Sequence, residues 1–142
     1  MKISARNVFK GKISHLEIGA VNAEVAVGIA GGGKITAIVT NGSVRSMDLA
    51  VGKEVSVLVK ASSVLVLVDG GGVRLSARNI LAGTVSKVVE GAVDAEVSIA
   101  LDGGVAVHAV ITKDSVKSLG LKPGVPATAV IKSSSVILAV TD

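Results

Sequence analysis

The sequence predicts an all-β protein of two tandem five-stranded modules, each with one short helix between its third and fourth strands. Three observations lead there. Ile3-Ser4-Ala5-Arg6-Asn7 returns as Leu75-Ser76-Ala77-Arg78-Asn79, and an offset of 72 aligns residues 3–70 with 75–142 without a gap, 26 of the 68 pairs being identical. Hydrophobic residues make up 49% of the chain, yet Phe9 is the only aromatic, so the apolar content is the thin, branched kind that strands favour. Turn signals then divide each half into the same order of elements.

In the first half, Lys2 to Ser14 reads as a long strand with Gly11 as a bend or bulge. Gly19 to Asn22 makes a turn. Ala23 to Ala30 alternates with Val25, Val27 and Ile29 on one face, and Lys34 to Thr40 follows the glycine run 31–33 as the second arm of a hairpin. Ser43 to Leu49 is the one helical stretch, with Ser43 placed to cap it and Val44, Met47 and Leu49 facing inward. Glu54 to Lys60 and Val64 to Val68 complete the module around the turn Lys60-Ala61-Ser62-Ser63. The second half repeats the order through Leu75–Ser86, Ala95–Ala100, Ala106–Thr112, Ser115–Leu119, Ala127–Lys132 and Val136–Val140.

Three strands, a helix and two strands is the order of an OB-type five-stranded barrel. The expected modules are residues 1–70 and 73–142, joined through Asp69-Gly70-Gly71-Gly72. Units of this size have little core of their own, so burial between halves or between subunits is expected.

Composition removes several functions. The absence of cysteine rules out disulfides and thiol chemistry. The most apolar run, Val55 to Val68, is interrupted by Lys60 and is too short to span a bilayer. No apolar leader follows Met1-Lys2, and the expectation is a soluble cytoplasmic protein without membrane association. A net charge of +4 makes anionic partners plausible.

Gly28-Ile29-Ala30-Gly31-Gly32-Gly33-Lys34 nearly spells a phosphate-binding loop, but Ile35 stands where Ser or Thr is required and the run joins two strands. A hairpin turn accounts for it. His15 aligns with Lys87 and His108 with Thr36, so neither histidine belongs to a repeated site. Glu24/Glu96 is the one repeated carboxylate pair, and one acid per module without a histidine or cysteine does not make a hydrolytic site. No enzymatic activity is expected.

The two halves act as a small internal alignment. Apolar positions interchange freely, as in Ile13/Val85 and Val27/Ile99, whereas Ser4/Ser76, Arg6/Arg78, Asn7/Asn79, Ser43/Ser115, Lys60/Lys132, Ser62/Ser134 and Ser63/Ser135 are kept. These polar repeats offer donors and few acceptors, which suits a fully deprotonated oxyanion. A phosphate proton would find no acceptor there, whereas sulfate, molybdate and tungstate bring no such proton. A plain reading also fits: the arginine pairs with an acid, and Lys-Ala-Ser-Ser is a turn with a solvated lysine.

Ser4-Ala5-Arg6-Asn7, Thr40 and Ser43, and Lys60-Ala61-Ser62-Ser63-Val64, spaced through a module of about seventy residues, resemble the Mop domain of molybdate-binding proteins. Two modules in tandem over the whole chain resemble the di-Mop molbindins. The resemblance implies an OB-type fold that stores molybdate or tungstate as the intact dianion at subunit interfaces, with no organic cofactor and no direct metal ligands. It implies one class of site lined by Ser4, Arg6, Lys60, Ala61 through its backbone, Ser62 and Ser63, with Ser43 approaching from a neighbouring module. The matching set is Ser76, Arg78, Lys132, Ser133, Ser134, Ser135 and Ser115. A second class would lie near a three-fold axis at the turns containing Ala20, Val21 and Asn22, and Ala92, Val93 and Asp94. Since single-domain relatives form hexamers, a tandem protein would form a homotrimer.

Two other functions use the same features. An OB-type barrel with a basic balance could bind single-stranded nucleic acid, but such surfaces stack bases on aromatics and only Phe9 is present. A molybdate-sensing regulatory partner would need a separate output chain, since no helix-turn-helix accompanies the modules.

Overall fold

The computed structural model describes residues 1–31 and 33–141; Gly32, within the glycine run read as a hairpin turn, and Asp142, the last residue of the second expected module, lie outside the described residues. The first half contains β1 (Asn7–Ile18), β2 (Asn22–Ile29), β3 (Lys34–Thr40), α1 (Asn41–Ser46), β4 (Glu54–Val59) and β5 (Val64–Leu67), with a 3-10 turn at Ala61–Ser63. The second contains β6 (Asn79–Glu90), β7 (Asp94–Leu101), β8 (Ala106–Thr112), α2 (Lys113–Leu119), β9 (Pro126–Ile131) and β10 (Ile137–Ala139), with a 3-10 turn at Ser133–Ser135. The all-β class, five strands per sheet and a helix between the third and fourth strands agree with the sequence reading.

The last strands do not stay with their own halves. One sheet runs β10-β4-β1-β2-β3 and the other β5-β9-β6-β7-β8, all neighbours antiparallel. Ile137 pairs with Leu58, and Val64 with Ile131. The sequence reading has Val64 to Val68 complete the first module, but the turn at Lys60 sends the chain across to the other sheet, where β5 pairs with β9. Leu65 and Ile137 occupy the same repeat position, so either strand satisfies either sheet, and a side-chain pattern cannot distinguish the two pairings.

Burial follows the two-residue period. Val25, Val27, Ile35, Val57 and Val59 in one sheet, and Val97, Ile99, Val107, Ala129 and Ile131 in the other, are 0% exposed and belong to one continuous cluster with Val64, Val136 and Leu138. Removing a Val or Ile side chain from water contributes about 1.5–3 kcal/mol, so the exchanged strands share a core that neither half completes alone. Phe9 lies in it, not on a surface where a base could stack.

β1 starts later and ends later than expected, and its bulge falls between Ile13 and His15 rather than at Gly11. Gly11 has another cause. A Cβ there would lie 2.3 Å from the carbonyl oxygen of Gly28, and one on Gly83 would lie 2.3 Å from that of Ala100, so the strongly coiled strand leaves room for hydrogen alone. The two hairpin tips also meet. Gly31 and Gly103, repeat counterparts both at φ +86, approach so closely that a Cβ on Gly103 would lie 2.6 Å from Gly31 Cα. Gly31 and Gly103 thus serve a contact between halves.

α1 begins at Asn41, and its cap is Thr40 rather than Ser43. Thr40 Oγ1 accepts from the Ser43 N–H at 3.0 Å, and Thr112 Oγ1 from that of Ser115 at 3.1 Å. Val44 and Val116 anchor the helices in the core.

Candidate functional site

Each cationic cluster forms where two paired strands leave their sheet. Asn7 pairs with Val59 across β1 and β4, and both are buried. Arg6 precedes β1 and Lys60 follows β4, so both flank this terminal pair, and both are exposed. Arg78 and Lys132 flank the pair Asn79 and Ile131 in the same way. The 3-10 turns follow directly. Ser63 N–H closes onto Lys60 O at 2.9 Å and Ser135 N–H onto Lys132 O at 2.9 Å, which leaves the N–H groups of the two preceding residues directed out of each turn. Ala61 and Ser133 are buried beneath, while Ser62 and Ser134 are exposed. Ser4 and Ser76 lie exposed two residues before the arginines. The structure therefore gathers Arg6 with Lys60, Ala61, Ser62 and Ser63, and Arg78 with Lys132, Ser133, Ser134 and Ser135.

Each cluster stands against the opposite half. The Ala61–Ser63 turn packs on β8 and the Ser133–Ser135 turn on β3. Asn7 fixes this arrangement: its Oδ1 accepts from the His108 N–H at 2.7 Å, and its Nδ2 donates to His108 O at 2.8 Å and Val59 O at 3.2 Å. Asn79 exchanges two hydrogen bonds with the backbone of Thr36, both 2.8 Å. The repeated asparagines, grouped by sequence with the donors, are buried clamps between halves.

The arginines are engaged. Arg6 Nη1 and Nη2 donate to Glu96 Oε2 and Oε1 at 2.8 and 2.7 Å, and Arg78 grips Glu24 with the same two nitrogens. The one repeated carboxylate pair is thus the partner of the repeated arginines, and the lining is not donors alone. Hydrogen bonding from Arg78 holds the Glu24 carboxyl below its ordinary value, against the opposing effect of desolvation, with the charges of Arg78, His15 and Lys34 acting in the same direction. His108 borders the other pair, its Nδ1 2.9 Å from Ser98 Oγ and 3.6 Å from Glu96 Oε1. Thr36 and Ala26 stand at the equivalent positions. Sequence spacing could not reveal these partners, because they lie 90 and 54 residues apart.

Ser43 and Ser115 are placed differently. Ser43 Oγ lies 2.9 Å from Thr40 Oγ1, and Ser115 Oγ accepts from Thr112 Oγ1 at 2.8 Å. Glu96 is two ladder positions from Asp94, the partner of Thr112, so the α2 cap lies about 7 Å along the ladder from the backbone of Glu96, the residue that holds Arg6. Within one chain it is thus Ser115 that lies towards the Arg6 cluster, and Ser43 towards that of Arg78.

The turns considered as a second class of site lie at the far ends of β1 and β6. Gly19 N–H bonds Asn22 O at 2.9 Å and Asn41 N–H bonds Val21 O at 3.0 Å; Gly91 to Asp94 and Lys113 to Val93 repeat this at 2.8 Å. Val21 and Val93 are exposed tips, as are Ala20, Ala92, Asn22 and Asp94. Asn41 Nδ2 donates to Gly19 O at 2.9 Å, and its buried Oδ1 has no partner among the described residues.

Among the described residues no three His, Asp or Glu side chains converge to hold a cation, and no helix is long and apolar enough to cross a membrane.

The TOBE domain family matches residues 3–66 and 75–138. The structure of the cytoplasmic molybdate-binding protein ModG, solved in a PEG-grown form with molybdate bound, is similar at TM-score 0.96 and 58% identity, over 99% of this chain and 100% of that one. The molybdenum transport protein ModE of Azotobacter vinelandii is 48% identical over 140 residues, 99% of this chain and 52% of that protein. The molybdenum-pterin-binding protein MopA of Rhodobacter capsulatus is 43% identical over 139 residues, 98% of this chain and 52% of that protein. The chain spans about half the length of these two relatives.

Proposed function

The chain belongs to the TOBE domain family, which it matches twice, and on that premise we propose that it binds molybdate, and tungstate by the same chemistry, as intact dianions in the cytoplasm. It stores and buffers the oxyanion and performs no reaction on it. The observation that carries this reading is the twofold recurrence of Arg, Lys and a hydroxyl-bearing turn at the strand ends, Arg6 and Lys60 flanking the terminal pair Asn7 and Val59, and Arg78 and Lys132 flanking Asn79 and Ile131. The full-length similarity to a cytoplasmic protein solved with molybdate supports both ligand and compartment.

In this reading Ser4, Arg6, Lys60, Ala61, Ser62 and Ser63 form one site and Ser76, Arg78, Lys132, Ser133, Ser134 and Ser135 the other, each completed by Ser43 or Ser115 of a neighbouring module. The guanidinium and ammonium supply charge, and the hydroxyl and turn N–H groups direct hydrogen bonds at oxygens that carry no proton. The turns at Ala20-Val21-Asn22 and Ala92-Val93-Asp94 form the second class, with Asp94 weakening its copy by repulsion. The modules, residues 1–70 and 73–142, assemble six at a time as a homotrimer. Outward apolar residues recur in both halves, Ile3 with Leu75, Val8 with Ile80 and Leu65 with Ile137, and such surface favours association.

Equilibrium dialysis of the native oligomer against molybdate and tungstate, with metal analysis and native mass, tests the proposal. Retention of both by a trimer is expected. Retention of neither would sink it.

A further inference from the structure

Glu24 and Glu96 are the one carboxylate pair that the repeat preserves, and each closes on an arginine of the opposite half through both terminal nitrogens. A guanidinium offers the same forked edge to a carboxylate and to two oxygens of a tetrahedral oxyanion. Both cannot hold that edge at once. The arginine side chains are 56% and 51% exposed, so packing does not hold them in place, and an exposed ion pair separates at small cost. Were a dianion instead to use another edge of the guanidinium, the carboxylate would remain beside it and repel it. Both routes act in one direction.

We infer that Glu24 and Glu96 are built-in competitors for the oxyanion: each carboxylate holds the arginine edge that the ligand takes, and ligand capture is an exchange of one anion for another. This rests on the placement of Arg6 and Arg78 in the binding sites given above. Apparent affinity is then the intrinsic affinity multiplied by the fraction of time each arginine is free, which keeps capture reversible as a buffer requires. The role opposite in sign is that of a positioning residue, in which the glutamate aims the arginine at the ligand and its loss weakens binding.

The test is calorimetric titration of molybdate into three full-length forms checked for equal native mass: wild type, Glu24→Gln with Glu96→Gln, and Arg6→Ala with Arg78→Ala. The glutamine form is expected to bind roughly two- to fivefold more tightly, the effect of removing an exposed ion pair that competes for the arginine, and the alanine form to lose most binding. Unchanged or weaker binding in the glutamine form, with the alanine form defective, overturns the competitor role and leaves the sites standing. Undiminished binding in the alanine form overturns both. If the glutamine form does not assemble, Glu24→Asp with Glu96→Asp answers instead: the carboxylates are drawn back from the arginines, and affinity at or below wild type overturns the inference.

Discussion

The side chain of Asn7 pairs with the backbone of His108 as a strand would, accepting from its N–H at 2.7 Å and donating to its carbonyl at 2.8 Å. Asn7 is 1% exposed, so no water replaces these bonds when the amide is lost. Asn7→Ala is expected to cost about 1–3 kcal/mol for each buried polar group left unpaired. Denaturant unfolding would read this as a lower midpoint. A midpoint within error of wild type would show that the clamp contributes nothing.

Gly103 and Gly104 share φ +86 but differ in surroundings: a Cβ on Gly103 meets the backbone of Gly31, and one on Gly104 meets nothing within 4 Å. Alanine at either position costs about 1–2 kcal/mol for left-handed backbone. Gly103→Ala should cost about 1–3 kcal/mol more, because the facing hairpin tip must also move. Equal melting temperatures for the two variants would refute the contact between tips.

Hydrogen bonding from Arg78 lowers the pKa of Glu24 below its ordinary 4.5. The unfolded chain therefore takes up the Glu24 proton at a higher pH than the folded chain does. The stability from this pair is complete above the unfolded value and fades as pH falls through the folded one. Relative to Glu24→Gln, wild type should lose stability as pH is lowered below about 4.5. Parallel stability curves for the two forms across that range would contradict the pairing.

Exchange of β5 and β10 means that a half-chain lacks the strand its sheet needs. Residues 1–70 expressed alone should associate in even-numbered assemblies built from pairs of copies that trade β5, since the two exchanged strands fill equivalent places. Native mass spectrometry checks this, and a stable folded monomer would contradict it.

Element order was legible from sequence because turn residues mark the strand ends. β3 and β8 begin and end at the expected residues, Lys34–Thr40 and Ala106–Thr112. Strand partnership was not legible, since Leu65 and Ile137 satisfy the same pattern in either sheet. The cationic residues of the candidate site could be picked out because repetition kept them while the core drifted. Their glutamate partners could not, because Glu24 and Glu96 meet Arg78 and Arg6 only after the halves pack together. Asn7 and Asn79 looked like surface donors for a related reason: a single residue type does not say which end of a strand is covered. The plain alternative, an arginine paired with an acid, describes both arginines, and the lysines are the cations beside each turn.

Molybdate titration of Lys60→Ala with Lys132→Ala against wild type, at equal native mass, tests most directly whether these clusters hold the oxyanion. The double variant is expected to lose most binding while its assembly is unchanged. An affinity equal to wild type would place the anion elsewhere and contradict the account.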